Sequence, residues 1–348
     1  MSDRLASRAA SKAPYRRLAI IGGGAWGTAL ALTALRAGCA CSLWIREAEI
    51  AQGVFESRET PFLPGYQLPE ALAVTSRLAE ALEEAELVVL VVPSQFLRSV
   101  ARNLRDHLSP NLPLLICSKG IEAKSGALMH QVVEEELGGH PWAVLSGPSF
   151  AAEVAAGQPT AITVAAPDPL LAGRIAATFA VSTFRPYTSD DPLGVEVGGA
   201  VKNVIAIACG IAQGCGFGAN SRAALITRGL AEIVRLATAL GARPETLAGL
   251  AGLGDLTLTC SSEQSRNFSF GMALGRGLSP EQAKGDSKAI VEGAENARSI
   301  TALAERVGVE MPICEAVFEI LYRDLPVQQA MQRLLTRPIK DEVEGASG

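Results

Sequence analysis

Lys202 and Asn203 stand in a run that is otherwise small and apolar, Gly198-Gly199-Ala200-Val201-Lys202-Asn203-Val204-Ile205. Burial disfavours an ammonium and lowers its pKa, bringing a lysine into the range where it can give and take a proton near neutral pH. Carbonyl–alcohol interconversion needs such a group. The alternative for Lys202 is a structural ion pair with Glu196 or Asp255, because buried charges are paired. Other segments could serve the same chemistry. Ser118-Lys119-Gly120 and Gly147-Pro148-Ser149-Phe150 each follow an apolar run that reads as a strand, so both belong at a sheet edge where ligands bind. Lys119 read alone is equally an exposed loop lysine. Gly249-Leu250-Ala251-Gly252-Leu253-Gly254-Asp255 is a glycine-rich loop delivering one carboxylate. Ser265-Arg266-Asn267 opens a helical segment, where backbone N–H groups, a hydroxyl and a guanidinium together suit an anion. The alternative there is a Ser-capped helix with a surface arginine, although a cation is poorly matched to the positive end of a helix dipole.

A second constellation concerns a nucleotide. Ile20-Ile21-Gly22-Gly23-Gly24-Ala25-Trp26-Gly27 places a GxGxxG element directly after a predicted strand and before a predicted helix, Thr28 to Ala37, capped by Gly38. Gly22 permits the tight turn, Gly24 lets the backbone approach a pyrophosphate, and Gly27 allows close helix packing. A purely structural turn is the alternative. The next strand ends at Arg46, where dinucleotide folds often place an acid for the ribose diol. A guanidinium there accommodates a 2′-phosphate, so NADP(H) should be accepted at least as well as NAD(H). Glu47 and Glu49 argue the other way if one of them reaches the ribose.

These groups need a scaffold, and the apolar pattern supplies one. Short apolar runs recur at Leu18 to Gly22, Cys39 to Ile45, Leu87 to Val92, Leu114 to Cys117, Trp142 to Leu145 and Thr160 to Ala165, with amphipathic stretches between them, including a helix over Thr75 to Glu84. That rhythm predicts a parallel sheet covered on both faces. After Asp190-Asp191-Pro192 the strand-like runs stop. Val197, Val201, Val204, Ile205, Ala208, Ile211 and Ala212 then form a helical stripe, and a second helical pattern runs from Thr227 to Leu240 and stops at Gly241. The expected fold is an α/β Rossmann-type N-terminal domain over 18–193 and an all-α C-terminal substrate and dimerisation domain over 194–341. A flexible basic tail at 1–17 and a flexible end at 342–348 complete it.

Length and composition agree. At 348 residues the chain fits two domains at roughly 150 residues each. With 31 basic against 36 acidic residues and only 19% charged, no global field recruits nucleic acid or an anionic membrane. No uninterrupted apolar run reaches the roughly 18 residues of a membrane span. Seven cysteines without a CxxC pair read as reduced core thiols of a cytoplasmic protein, and with three histidines, His107, His130 and His140, in predicted peripheral segments, no metal site is expected. Arg4, Arg8, Lys12, Arg16 and Arg17 give the first residues some flavour of a transit peptide but lack its apolar region, so a floppy tail is preferred.

At these residues the chain resembles the bacterial NAD(P)-dependent glycerol-3-phosphate dehydrogenase family, from Leu18 to about Asp341. The resemblance lies in Gly22-Gly23-Gly24-Ala25-Trp26-Gly27-Thr28-Ala29, Ser118-Lys119-Gly120, Gly147-Pro148-Ser149-Phe150, Gly199-Ala200-Val201-Lys202-Asn203-Val204, Gly216-Phe217-Gly218-Ala219-Asn220, Gly252-Leu253-Gly254-Asp255-Leu256, Gln264-Ser265-Arg266-Asn267 and Val291-Glu292-Gly293. It implies reduction of dihydroxyacetone phosphate to sn-glycerol 3-phosphate for glycerophospholipid synthesis, by a homodimer with a Rossmann domain and a helical domain. The family's catalytic lysine falls on Lys202, and its substrate contacts on Lys119, Gly147, Ser149, Lys202, Asp255, Ser265, Arg266 and Asn267. Its cofactor contacts fall on Ala25, Trp26, Arg46, Lys119, Ala151, Arg266, Ile290 and Glu292, beside the loop glycines Gly22, Gly24 and Gly27. Departures are confined to the tail, the loop from Ser57 to Tyr66 and the C-terminus. Two rivals are another reductase of this architecture acting on a carboxylate substrate, which has no need of the Ser265-Arg266-Asn267 site, and a non-catalytic nucleotide sensor, which could dispense with Lys202.

Overall fold

The structure, a computed structural model, describes residues 13–284 and 291–338. The expectations for most of the N-terminal tail, for the 342–348 end and for Ile290 lie outside the described residues. The N-terminal half runs β1 (Arg17–Ile21), α1 (Ala25–Arg36), β2 (Ala40–Trp44), α2 (Ala48–Ser57), β3 (Leu72–Thr75), α3 (Leu78–Leu82), β4 (Leu87–Leu90), α4 (Leu97–Leu104), β5 (Leu114–Ile116), α5 (Met129–Glu136), β6 (Trp142–Ser146), α6 (Ala151–Ala155), β7 (Thr160–Ala165), α7 (Pro169–Phe179) and β8 (Phe184–Ser189). These strands form one sheet in the order β3-β2-β1-β4-β5-β6-β7-β8. Parallel pairing holds from β3 to β6, with the order reversing between β1 and β4, the crevice where open α/β sheets bind ligands.

Two expectations are corrected here. The sheet is not wholly parallel, since β7 pairs antiparallel with β6. The five residues of α6 advance only about 7–8 Å, so the chain stays at the carboxyl edge and re-enters the sheet running backward. The predicted helix over Thr75 to Glu84 shrinks to α3, because Leu72–Thr75 is the strand β3. The Thr75 hydroxyl accepts the Arg77 N–H at 3.1 Å in the turn ahead of α3, whose N-cap, Arg77, makes no side-chain cap bond.

The C-terminal half is helical: α8 (Pro192–Gly214), α9 (Ala219–Ala239), α10 (Pro244–Leu247), a π-helical turn (Leu250–Gly254), α11 (Asp255–Cys260), α12 (Arg266–Gly275), α13 (Pro280–Lys284), α14 (Glu292–Val307), α15 (Pro312–Tyr322) and α16 (Val327–Leu335). The stripe expected on α8 understates it, because the helix is buried on nearly every side from Gly194 to Ala212. Among the described residues α8 alone has the length and apolarity of a membrane span, and 94% of that stretch is buried inside the protein. It serves as the axis of the helical half. Its partner α12 approaches through glycines on both sides: a Cβ at Gly210 would lie 2.9 Å from the Met272 nitrogen, and one at Gly271 would lie 2.9 Å from the Ile207 carbonyl carbon. This close crossing brings the start of α12 to Asn203, the residue after Lys202.

Candidate active site

The glycine loop leaves β1 at the reversal point of the sheet. Gly22 has φ +123, and a Cβ there would lie 2.6 Å from the Val91 carbonyl oxygen at the end of β4, so only glycine makes the turn without strain. A Cβ at Gly24 would meet nothing within 4 Å, leaving open space before the N-terminus of α1. The first turn of α1 holds no acidic residue, and the Trp26 Nε1 is buried with no hydrogen-bond partner among the described residues. Free N–H groups, a positive helix end and an open glycine face suit a dinucleotide pyrophosphate. Arg46 follows β2 and reaches Glu47 at 2.7 Å through its Nε, while its guanidinium lies 5.5 Å from the centre of the Phe96 ring. Glu49 sits in the first turn of α2.

Four loops and helices converge at the carboxyl edge. Ser118 donates to the Val92 carbonyl at 2.5 Å, tying the loop after β5 to the end of β4 and aiming Lys119 toward the helical half. Gly147, at φ +145, turns the chain after β6, where Ser149 donates to its carbonyl at 2.9 Å. From the other side, a Cβ at Gly198 would lie 2.6 Å from the Ala251 carbonyl oxygen, so α8 packs directly on the π-helical turn. Lys202 lies one turn further along α8, and Asp255 begins α11 immediately after that turn.

The result is a buried charge cluster. Asp255 accepts from Lys119 on Oδ2 at 2.8 Å and from Lys202 on Oδ1 at 2.5 Å. Lys202 also donates to the Thr259 hydroxyl at 2.9 Å, and Thr259 donates to the Asp255 carbonyl at 2.6 Å. Burial pushes the Lys202 ammonium down to about 8, Lys119 adds to the push, and Asp255 opposes it. Burial works to raise Asp255, but Lys119 and Lys202 together hold its carboxyl below the usual carboxylate range. The ion pair of Lys202 with Asp255 is present, and burial leaves the same ammonium able to exchange a proton near neutral pH. Glu196 has another partner: it accepts the His130 N–H at 2.9 Å and meets the His130 ring, which stacks on Trp142. His130 thus sits at the junction of the two halves and not at the periphery. Of the three ammonium hydrogens of Lys202, two meet acceptors among the described residues.

The Ser265-Arg266-Asn267 segment opens α12 as expected, with its groups divided among different tasks. Ser265 is buried and caps the helix, accepting the Phe268 N–H at 3.3 Å. Asn267 donates to the Asn203 side chain at 3.0 Å and accepts the Gly293 N–H at 3.0 Å, which locks α8, α12 and α14 together. Arg266 is exposed and has no ion-pair partner among the described residues. Glu292 opens α14 nearby. Burial raises its carboxyl pKa, opposed by Arg266, Lys119 and Lys202, so it shares the field of the charge cluster. Ala151 begins α6 just past the Gly147 loop. The sequence reading missed Thr259, whose one available signal is its i+4 spacing from Asp255 on a single helix face.

Residues 17–172 match the family described as NAD-dependent glycerol-3-phosphate dehydrogenase N-terminus, and residues 191–332 match its C-terminus. A glycerol-3-phosphate dehydrogenase [NAD(P)+] of Rhodospirillum rubrum is 52% identical over 331 residues, covering 95% of this chain and 94% of the relative. The enzyme of the same name from Caulobacter vibrioides is 51% identical over 94% of this chain and 99% of its own length. The crystal structure of glycerol-3-phosphate dehydrogenase from Coxiella burnetii superposes with a TM-score of 0.90 at 42% identity, covering 92% of this chain and 99% of that one. The chain belongs to the NAD-dependent glycerol-3-phosphate dehydrogenase family.

Proposed function

We propose that this chain reduces dihydroxyacetone phosphate reversibly to sn-glycerol 3-phosphate with NAD(P)H, and that the product feeds glycerophospholipid synthesis. The observation behind the residue roles is the buried Lys119–Asp255–Lys202 cluster at the carboxyl edge of the sheet. When bound, the reduced nicotinamide supplies a hydride. The residues of the Gly22 to Gly27 loop, Arg46, Lys119, Ala151, Arg266, Ile290 and Glu292 hold the cofactor. Lys202 donates its third hydrogen to the substrate carbonyl oxygen and passes that proton to the nascent alkoxide, taking it back in oxidation. Asp255 stays ionised and fixes both ammonium groups, while Thr259 orients Lys202. Lys119, Gly147, Ser149, Ser265, Arg266 and Asn267 form the substrate pocket, with Arg266 and the N-terminus of α12 facing the phosphate. An initial-rate assay with dihydroxyacetone phosphate, run with NADH and NADPH in parallel, tests the reading, and absence of turnover with both cofactors rejects it.

The two halves divide the work at 193/194, a boundary supported by the change from sheet to helix between Ser189 and Pro192. The N-terminal half binds the dinucleotide and the C-terminal half binds substrate and a second copy of the chain. Support for a homodimer comes from an open apolar cleft of about 1260 Å³ lined by Phe217, Leu225, Val317, Ile320 and Leu335, of which Leu335 is 79% exposed. Sedimentation velocity should give the mass of two chains, and a single-chain mass at micromolar concentration rejects the dimer. Cytoplasmic residence is supported by seven cysteines that are all free.

Arg46→Ala is expected to raise KM for NADPH far more than for NADH, because only NADPH carries the 2′-phosphate for which Arg46 would exchange Glu47. A charge-assisted hydrogen bond contributes about 1.5–3 kcal/mol, so the NADPH-specific change should be roughly tenfold or larger. Equal changes for both cofactors would mean that Arg46 does not face the adenine ribose.

A further inference from the structure

Asn296 lies in the second turn of α14 and is fully buried. Its Nδ2 donates to the backbone carbonyl of Ala200 at 3.2 Å, two residues before Lys202 on α8. A carbonyl oxygen can only accept, so this bond fixes the orientation of the carboxamide. Its Oδ1 therefore faces away from α8 and toward Gly120, where a Cβ would lie 2.7 Å from it. That oxygen is buried and has no hydrogen-bond partner among the described residues. The Ser94 side chain, just after β4, packs against the same face of Gly120. One side chain thus joins the helix that begins with Glu292, the helix of Lys202 and the loop of Lys119. Stability alone would favour an apolar residue of the same size, since an unpartnered amide oxygen is costly to bury.

We propose that Asn296 is a positioning residue for the reduction, one that sets the spacing of Lys119 and Lys202 across Asp255 by holding α8 through Ala200 while seating the loop at Gly120. The proposal rests on the function proposed above. Asp255 receives the two lysines on separate oxygens at 2.8 and 2.5 Å, so a relative shift of about an ångström between loop and helix would break one of these bonds. Asn296→Leu fills the same space without either polar atom. Asn296→Asp keeps the shape and the Oδ1 acceptor but turns a second oxygen toward the Ala200 carbonyl. In both variants the expected kcat, counted per NADPH-binding site, is lower by about tenfold or more, while the NADPH Kd from fluorescence titration stays within about threefold of wild type. A merely structural role would lower Tm and the fraction of binding-competent protein without that loss per site. A smaller fall in kcat overturns the proposal, and so does a fall matched by an equal loss of NADPH affinity. If only the leucine variant fails to fold, the aspartate variant decides by the same two readings. Failure of both to fold assigns Asn296 to stability and overturns the proposal. An inactive wild-type enzyme would overturn the function and this role with it, whereas an active wild type beside unaffected variants overturns only the positioning role.

Discussion

Lys202→Met is expected to lower kcat by roughly 10²- to 10⁴-fold, the contribution of a general acid–base group, while leaving NAD(P)H affinity within a few-fold. The separation follows from the fold. The proposed pyrophosphate site is the Gly22 to Gly27 loop at the end of β1, whereas Lys202 lies on α8 against Asp255 and Thr259. Lys202→Arg should be nearly as damaging as the methionine variant, because a guanidinium keeps the charge but does not release its proton in the working pH range. The pH profile gives a second reading of the same group. Reduction needs the protonated amine, whose pKa burial has lowered to about 8, so kcat for reduction should be flat below that value and fall as pH rises through it. Oxidation needs the neutral amine and should rise over the same window. Retention of more than a tenth of wild-type kcat in the methionine variant at pH 7, or an unchanged pH limb, would remove Lys202 from the chemistry.

Much of this arrangement is legible in the chain because its parts violate local expectation. A lysine in the apolar run of α8, one carboxylate in a glycine-rich loop and a GxGxxG turn after an apolar strand are all misfits unless they have a task. Strands buried on both faces announce themselves as continuous apolar runs, as in Leu87–Leu90. The strands that escape are the two at the sheet's edges, which are also the least buried: β3 is buried only at Leu72, and β8 carries Arg185 and Pro186. Pairing direction also escapes, since the reversal at β7 depends on the reach of α6 and not on any residue type. Within the site, Thr259 shows only its spacing from Asp255 and Asn296 shows nothing, for a different reason. Each is an ordinary polar residue on an amphipathic helix, and its partners, Lys202 in one case and Ala200 with Gly120 in the other, are joined to it only by the crossing of helices far apart in sequence.

Arg266→Ala should lower kcat/KM for dihydroxyacetone phosphate steeply while changing the feeble rate with dihydroxyacetone much less. The neighbours of Arg266 are already engaged. Ser265 is committed to the helix cap, and both polar ends of Asn267 are committed to Asn203 and Gly293. The guanidinium of Arg266 has no ion-pair partner among the described residues and stands at the end of α12 where the helix dipole is positive. Cation and helix terminus repel each other mildly, and a phosphate dianion arriving between them would satisfy both. Binding energy taken up at that remote phosphate holds the carbonyl against Lys202, so a substrate without the phosphate loses kcat as well as affinity. A bidentate contact to a phosphate dianion is worth on the order of 2–4 kcal/mol in such a pocket, which corresponds to a loss of roughly 30- to 1,000-fold in kcat/KM. Arg266 also lies in the field of Glu292, next to the cofactor residues, so some loss of NADPH affinity is expected and both substrates must be compared at saturating cofactor. If the variant slows the phosphorylated and unphosphorylated ketones by the same factor under those conditions, the phosphate binds elsewhere, and Arg266 serves the cofactor alone.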